Sequence, residues 1–325
     1  MTAIDADDLA MLAAGFDGVL RDAADPDEAA RGLFELGWDE LLAASPAQAV
    51  AAAFGALGAT GAAAGILDDV LAHALGLDPS IGTCIVAPAP GGSTPPGRRT
   101  GDRIVVDGTV TRRAGRAERI MVVVGDVPDD VEVVGIDASL VAVPDGDTID
   151  PEDAHRRLRL ELPAADATPV VATGRWGDAV AAARVALAHQ LLGAARTMLA
   201  QAREHALDRV QFGRAIASFQ AVRHKLADAL VQIEGGAAVA GEWQPGTDPL
   251  LAALAKSLAG RAARTTATHA QQVLAGIGFT TDHPFHRWLK RTLVVDALFG
   301  SASTLPGEIG AELLARGGAP RLVEL

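Results

Sequence analysis

Asp208 to Gln220 reads Asp-Arg-Val-Gln-Phe-Gly-Arg-Ala-Ile-Ala-Ser-Phe-Gln, and its spacing places Arg209, Gln211, Phe212 and Gly213 in a short joint between two helical stretches. A planar guanidinium at Arg209 can neutralise a pyrophosphate, because its fork of donors matches phosphate oxygens. Gly213 lets the backbone come close to a ligand or a neighbouring chain. A second block downstream carries Gln272, Gly276, Gly278, Phe279, Pro284 and Arg287. The alternative reading is a plain helix-turn-helix with a glycine turn and a surface arginine.

These blocks need elements to hold them. From Asp5 to about Leu77 the chain reads as Ala- and Leu-rich helices interrupted at Pro26 and Pro46, with Asp25 and Ser45 as expected caps. Near Gly76 the composition turns to Gly, Pro, Thr and short β-branched runs: Ile104 to Val106, Ile120 to Val124 and Val131 to Val134. Asp107-Gly108 between such runs is a hairpin signal. After Trp176 long helical patterns return over Val180 to Arg209, Phe219 to Val239 and Pro249 to Gly276, and four or five helices fit the remaining length. The expected fold class is α+β, with a helical domain at 1–77, a β-rich domain at 78–172 and a C-terminal helical bundle at 173–325.

Composition narrows the function. A formal charge of −13 over 325 residues argues against a nucleic-acid surface, which needs basic charge to displace counterions. Arg112, Arg113, Arg116 and Arg119 are the one basic run, and they read as a solvated face. The single cysteine, Cys84, excludes an internal disulfide, and no thiol–imidazole cluster has metal-ligand spacing. Asp5, Asp7 and Asp8 stand where an export signal would carry positive charge, so a cytoplasmic protein is expected. Ala49 to Leu67 is uncharged, but its Ala, Gly and Thr give little transfer free energy. It reads as a buried helix with Gly61 and Gly65 at a tight helix contact, not as a membrane span.

The two blocks resemble signatures of the acyl-CoA dehydrogenase family: Arg-x-Gln-Phe-Gly-Arg joining two helices, followed here by His224, Leu226, Ala227 and Asp228, and a Gln-x-x-Gly-Gly-x-Gly-Tyr segment. The resemblance implies that Arg209, Gln211, Phe212, Gly213, Gln272, Gly276 and Gly278 reach the adenosine diphosphate half of an FAD held by a neighbouring subunit. Other parts depart from the pattern. Val86 to Ser93 stands for a run that normally carries acidic residues along the flavin, and Thr111-Arg112-Arg113-Ala114 replaces the segment that covers its ring. Phe299 occupies the usual position of the catalytic base and Arg261 the second one, and neither accepts a proton at neutral pH. Asp296, three residues before Phe299, is the remaining candidate base. Asp282, His283 and His286 are expected in a turn and on the surface.

Together with Trp38-Asp39-Glu40-Leu41-Leu42, this pattern resembles the short subunits of actinobacterial heteromeric dehydrogenases acting on steroid side-chain CoA thioesters. The implied role is a subunit of an FAD-dependent enzyme for α,β-dehydrogenation of an acyl-CoA, completing the FAD site of a related partner and passing electrons to an electron-transfer acceptor. Two alternatives stay open. One is a self-sufficient homo-oligomer with a non-standard base, the other a non-catalytic structural or regulatory paralogue.

Overall fold

The computed structural model describes residues 6–79, 82–127, 130–144, 148–153, 155–172 and 174–318. Asp5 of the acidic N-terminal trio lies outside them. Five helices come first: α1 (Ala6–Asp22), α2 (Pro26–Glu35), α3 (Trp38–Ala44), α4 (Pro46–Thr60) and α5 (Leu67–Ala74). Asp25 caps α2 as expected, its carboxylate accepting the Asp27 and Glu28 amides, with Pro26 in the first turn where no amide is needed. Ser45 precedes Pro46 at the start of α4, but its side chain makes no capping bond. The backbone of Ser45 also ends α3, with its N–H bonded to the Leu41 carbonyl, and this shared corner sets its conformation.

The uncharged stretch is a buried helix that stops early. Gly61, in the left-handed conformation at φ +70°, ends α4, and among the described residues no helix is long and apolar enough to cross a membrane. The tight helix contact is real but falls elsewhere than Gly61 and Gly65. A Cβ on Gly61 would meet the Trp288 indole and one on Gly65 the Arg113 side chain. The backbones touch instead at Gly58, where a Cβ would stand 2.1 Å from the Gln190 carbonyl, and at Gly193, 2.4 Å from that of Gly55.

The middle of the chain forms β1 (Thr83–Ile85), β2 (Ala87–Pro88), β3 (Gly97–Thr100), β4 (Arg103–Val110), β5 (Arg119–Val127), β6 (Asp130–Asp137), β7 (Arg156–Pro163) and β8 (Ala167–Val170). They make one mixed sheet in the order β2-β4-β3-β5-β6-β8, with β1 parallel to β5 and β7 antiparallel to β4. Successive residues of a strand face opposite sides. Met121 and Val123 therefore join the helical core, while Ile120, Val122 and Val124 fill a second core on the other face. Burial on both faces explains why Ile120 to Val124 is apolar throughout.

The Asp107-Gly108 pair is not a turn. Both residues lie inside β4, where Gly108 is needed because a Cβ would strike Val86 and the Ala87 carbonyl. Asp107 is held across the strands by Arg157 at 2.7 Å. The turn is one strand end earlier: Thr100 pairs with Arg103, leaving Gly101-Asp102 as a two-residue loop with Gly101 at φ +62°.

The rest of the chain is α6 (Trp176–Asp208), the small hairpin β9 (Val210–Gln211) and β10 (Arg214–Ala215), then α7 (Gln220–Gly241), α8 (Pro249–Leu274), α9 (Phe285–Ala297) and α10 (Leu305–Ala315). The axis is α6, whose alanines let α4, α5, α7, α8 and α9 approach it. Its crossing with α4 gives a test. Gly58→Ala should lower the urea midpoint by an amount equivalent to about 1–3 kcal/mol through overpacking. Gly55→Ala, with open space at its Cβ position, should be neutral or stabilising. Equal effects of the two substitutions would contradict the crossing.

Candidate functional site

The hairpin after α6 is built around its tip. Gln211 pairs with Arg214 and Val210 with Ala215, so Phe212 and Gly213 form a two-residue loop, both at positive φ (+51° and +77°). A bulky residue in that region costs on the order of 1–3 kcal/mol. The strained turn displays the Phe212 ring, which is 92% exposed and stands edge-on to Phe219 with centroids 6.2 Å apart. The Arg214 guanidinium lies 4.3 Å above the Phe219 ring, and the Ile216 amide bonds to the Arg209 carbonyl at 2.8 Å, closing the joint.

Across from this hairpin, α8 ends at Leu274 and the chain turns through Ala275 at φ +53° into a 3-10 turn over Ala275–Phe279. Between the two lies a cleft of about 720 Å³. Arg209, Gln211 and Phe212 line one wall, Gln272 and Gly276 the other. The fold thus brings together five of the seven residues expected at a cofactor, from blocks sixty residues apart in sequence. Gly213 does not line the cleft but forms its turn, and Gly278 packs under it, where a Cβ would come within 3.0 Å of Leu274 Cβ.

Of the other lining residues, the sequence reading missed the ones that carry charge or a ring into the cleft: His205, Lys225 and Phe219. A helical spacing of four links His205 to Arg209 and would have found the first. The cleft lining carries Arg209, Lys225 and His205 and no carboxylate. In a chain of net charge −13 this is a local reversal suited to an anion.

The segment expected beside a flavin ring is drawn inward. Thr111 caps a 3-10 turn over Arg112–Gly115 and donates its hydroxyl to Asp68 at 2.6 Å. Arg113 is not part of a solvated face. It is buried, and its guanidinium grips Asp69 at 2.5 and 2.8 Å, while Asp69 also accepts the Trp38 indole N–H at 3.1 Å. Burial alone would push the Arg113 pKa down, but Asp69 outweighs it and the net shift is upward. Burial raises the Asp68 carboxyl, against the pull of Arg113 and Thr111. Arg112 and Arg116 do face outward, to the Glu152 carbonyl and to Asp27.

The end of α9 is equally occupied. Phe299 is fully buried at φ +56°, 6.3 Å from the Trp176 ring, and its carbonyl accepts Arg184 Nε at 3.0 Å. Lys256 donates to the carbonyls of Asp296 (2.9 Å) and Gly300 (3.1 Å). The Asp296 carboxylate is buried, accepts the Ala302 amide at 3.0 Å, and lies 3.9 Å from Lys256 and 3.6 Å from Arg264. It does not line the cleft, and Arg261 is exposed on α8. His283 lies in the corner before α9 and His286 in its first turn, with His283 Nδ1 accepting the Phe285 amide at 3.1 Å.

Comparison with known proteins agrees with this layout. Residues 177–314 match the family described as acyl-CoA dehydrogenase, C-terminal domain. The chain is 35% identical over 144 residues to the acyl-CoA dehydrogenase IpdE2 of Mycobacterium tuberculosis, covering 44% of this chain and 43% of that protein. It is 31% identical over 173 residues to IpdE2 of Mycolicibacterium smegmatis, covering 52% and 54%. The match thus spans about half the length of these curated relatives. Among solved structures, the ChsE4-ChsE5 complex from Mycobacterium tuberculosis superposes with TM-score 0.74 at 23% identity, covering 99% of this chain and 100% of that one. The Tcur3481-Tcur3483 steroid ACAD gives 0.73 at 23%, covering 96% and 98%. A glutaryl-CoA dehydrogenase from Mycobacterium smegmatis in complex with FADH2 gives 0.74 at 18%, covering 98% and 96%. At these identities the structures establish the fold.

Two outcomes follow from the buried charges. Arg113→Met should cost about 3–5 kcal/mol by stranding Asp69, and Arg113→Met with Asp69→Leu should restore most of it, read from urea midpoints. A double variant no better than the single one would show that the pair does not act as a unit. Lys256 is held at about pH 8 by burial, below the usual 10.5. Between those values the unfolded chain binds a proton that the native state has released, so stability relative to Lys256→Met should rise with pH across that window. A constant difference between pH 8 and 10 would refute the shift.

Proposed function

We propose that this chain, whose residues 177–314 match the acyl-CoA dehydrogenase C-terminal domain and which has the acyl-CoA dehydrogenase fold, completes the FAD site of a related subunit in an enzyme that dehydrogenates acyl-CoA thioesters. The observation that carries the reading is the cleft between the β9–β10 hairpin and the end of α8, where both signature blocks meet around a basic, carboxylate-free wall. Arg209 would neutralise the pyrophosphate with its fork of donors, Gln211 and Gln272 would bond polar groups beside it, and Gly276 would allow close backbone approach. Phe212, exposed on its turn, is the group a second chain or its cofactor would cover.

The residues present fit the adenosine diphosphate half of FAD and do not fit the ring. A ring site needs an apolar wall with donors to its nitrogens and oxygens, whereas Thr111 and Arg113 spend their donors on Asp68 and Asp69. When bound, FAD supplies the acceptor for the β hydride. A base must take the α proton, and here Phe299 lies in the core while Asp296 is engaged by an amide and two cations. The base and the ring contacts therefore come from the partner in this reading, and an electron-transfer acceptor reoxidises the assembly. The substrate class follows the heteromeric relatives: a steroid side-chain CoA thioester.

Expressed alone, the chain should carry little flavin, and co-expression with a related dehydrogenase chain should give a flavin absorption spectrum. Stoichiometric flavin in the lone chain would overturn the reading. In the complex, Arg209→Gln should weaken FAD retention by about 10- to 100-fold, the loss of one or two charge-assisted hydrogen bonds. Asp296→Asn should leave turnover intact; its abolition in a stably folded complex would return the base to this chain.

A further inference from the structure

A second cavity, of about 530 Å³, lies between the sheet and α9, away from the cleft. One wall is apolar: Leu293, Val294, Ala297 and Leu298 from the end of α9, with Pro90 beside them. The other carries Thr109 of β4 and His155 and Arg156 at the start of β7. Thr109 is 3% exposed, and its hydroxyl has no hydrogen-bond partner among the described residues. The same holds for both ring nitrogens of His155, whose side chain is 9% exposed and whose Nδ1 has only the 3.3 Å ion-pair contact with Asp153, and for Arg156 Nε. Buried polar atoms without hydrogen-bond partners on three residues of one wall are costly unless a ligand satisfies them.

Their chemistry selects the ligand. The carboxylates here are already spent: Asp150, which itself lines the cavity, on Arg291, Asp153 on His155 (3.3 Å) and Arg291 (3.5 Å), and Asp107 on Arg157. With Nδ1 of His155 turned to Asp153, the charged imidazolium is favoured, and its pKa is raised by that carboxylate against the opposing effects of burial and Arg291. Nε2 is then a donor, as are Arg156 Nε and the Thr109 hydroxyl. Two opposed Asp charges balance His155 and Arg291, and Arg156 leaves the wall positive.

We propose that this cavity binds a small apolar carboxylate, with its headgroup at Thr109, His155 and Arg156 and its hydrocarbon part against the Leu293–Leu298 face of α9. The assignment stands independently of the FAD cleft, since the two share no residue. Isothermal titration of the full chain with sodium octanoate at neutral pH should show saturable one-site binding. Thr109→Val keeps the side-chain shape and removes the hydroxyl, and it should weaken binding about tenfold with an unchanged thermal midpoint. His155→Gln should weaken it at least as much, and octanol, with the same tail and no charge, should bind at least tenfold more weakly than octanoate. Lack of saturable octanoate binding, wild-type affinity in a folded Thr109→Val variant, or equal affinity for octanol would each overturn the proposal.

Discussion

The ion pair between Asp69 and Arg113 joins the two kinds of structure in this chain, and much of the rest follows from it. Asp69 sits on the last helix before the sheet and Arg113 on the turn after β4, so the pair ties helical layer to β layer beside the apolar contact that Ile85, Met121 and Val123 make with the helical core. Two buried charges lose hydration, and attraction offsets that loss only if the remaining donors and acceptors are met. Most are: Trp38 donates to Asp69, while the neighbouring Asp68 accepts from Thr111 and from the Ile85 amide at 2.7 Å, and of these groups only Arg113 Nε is left without a partner among the described residues. Gly65 is part of the same arrangement, since a Cβ there would press on the Arg113 side chain. The knot holds α5, β1 and the turn after β4 as one piece.

This fixing has a functional cost. The turn after β4 cannot both anchor the layers and lie over a flavin ring, because the same side chains would have to point in two directions. At the end of α9, Lys256 and Arg184 clamp the carbonyls of Asp296, Phe299 and Gly300, so that corner is likewise a structural joint. A glycine on α8, Gly260, makes room for it, because a Cβ would fall 2.3 Å from Asp296 Oδ1. Both places where the resemblance implies chemistry are places where this chain has spent its polar groups on packing.

How much of this was legible depended on the range of the interaction. The order of elements was readable, because periodicity and the caps at Asp25 and Pro26 are local. The joint around Arg209 was readable because Gly213 marks a turn between two helical patterns and the surrounding motif is local. Arg113 looked like its exposed neighbours, and nothing within reach of it in sequence names Asp69 as its partner. Asp107-Gly108 read as a hairpin because the dipeptide is a turn signal, but close packing against Val86 also demands a glycine, and that contact is nonlocal. Gly58 and Gly193 were hidden for the same reason: a glycine in a helix shows its purpose only when the facing backbone is known.

The exposed Phe212 ring links these points to assembly. An aromatic side chain in water gains nothing from a left-handed backbone, so the strain at its turn must be recovered elsewhere. Phe219 and Arg214 support the ring from one side only, leaving the other open. Val210 on the hairpin and Phe279 at the end of the turn after α8 are exposed as well. Covering such a ring would bury apolar area at about 25 cal/mol per Å², enough for one aromatic side chain to offset the turn. A cleft that is basic inside and apolar at its lip is suited to closure by another surface, while the interior of this chain supplies the rigid frame that keeps the lip in place.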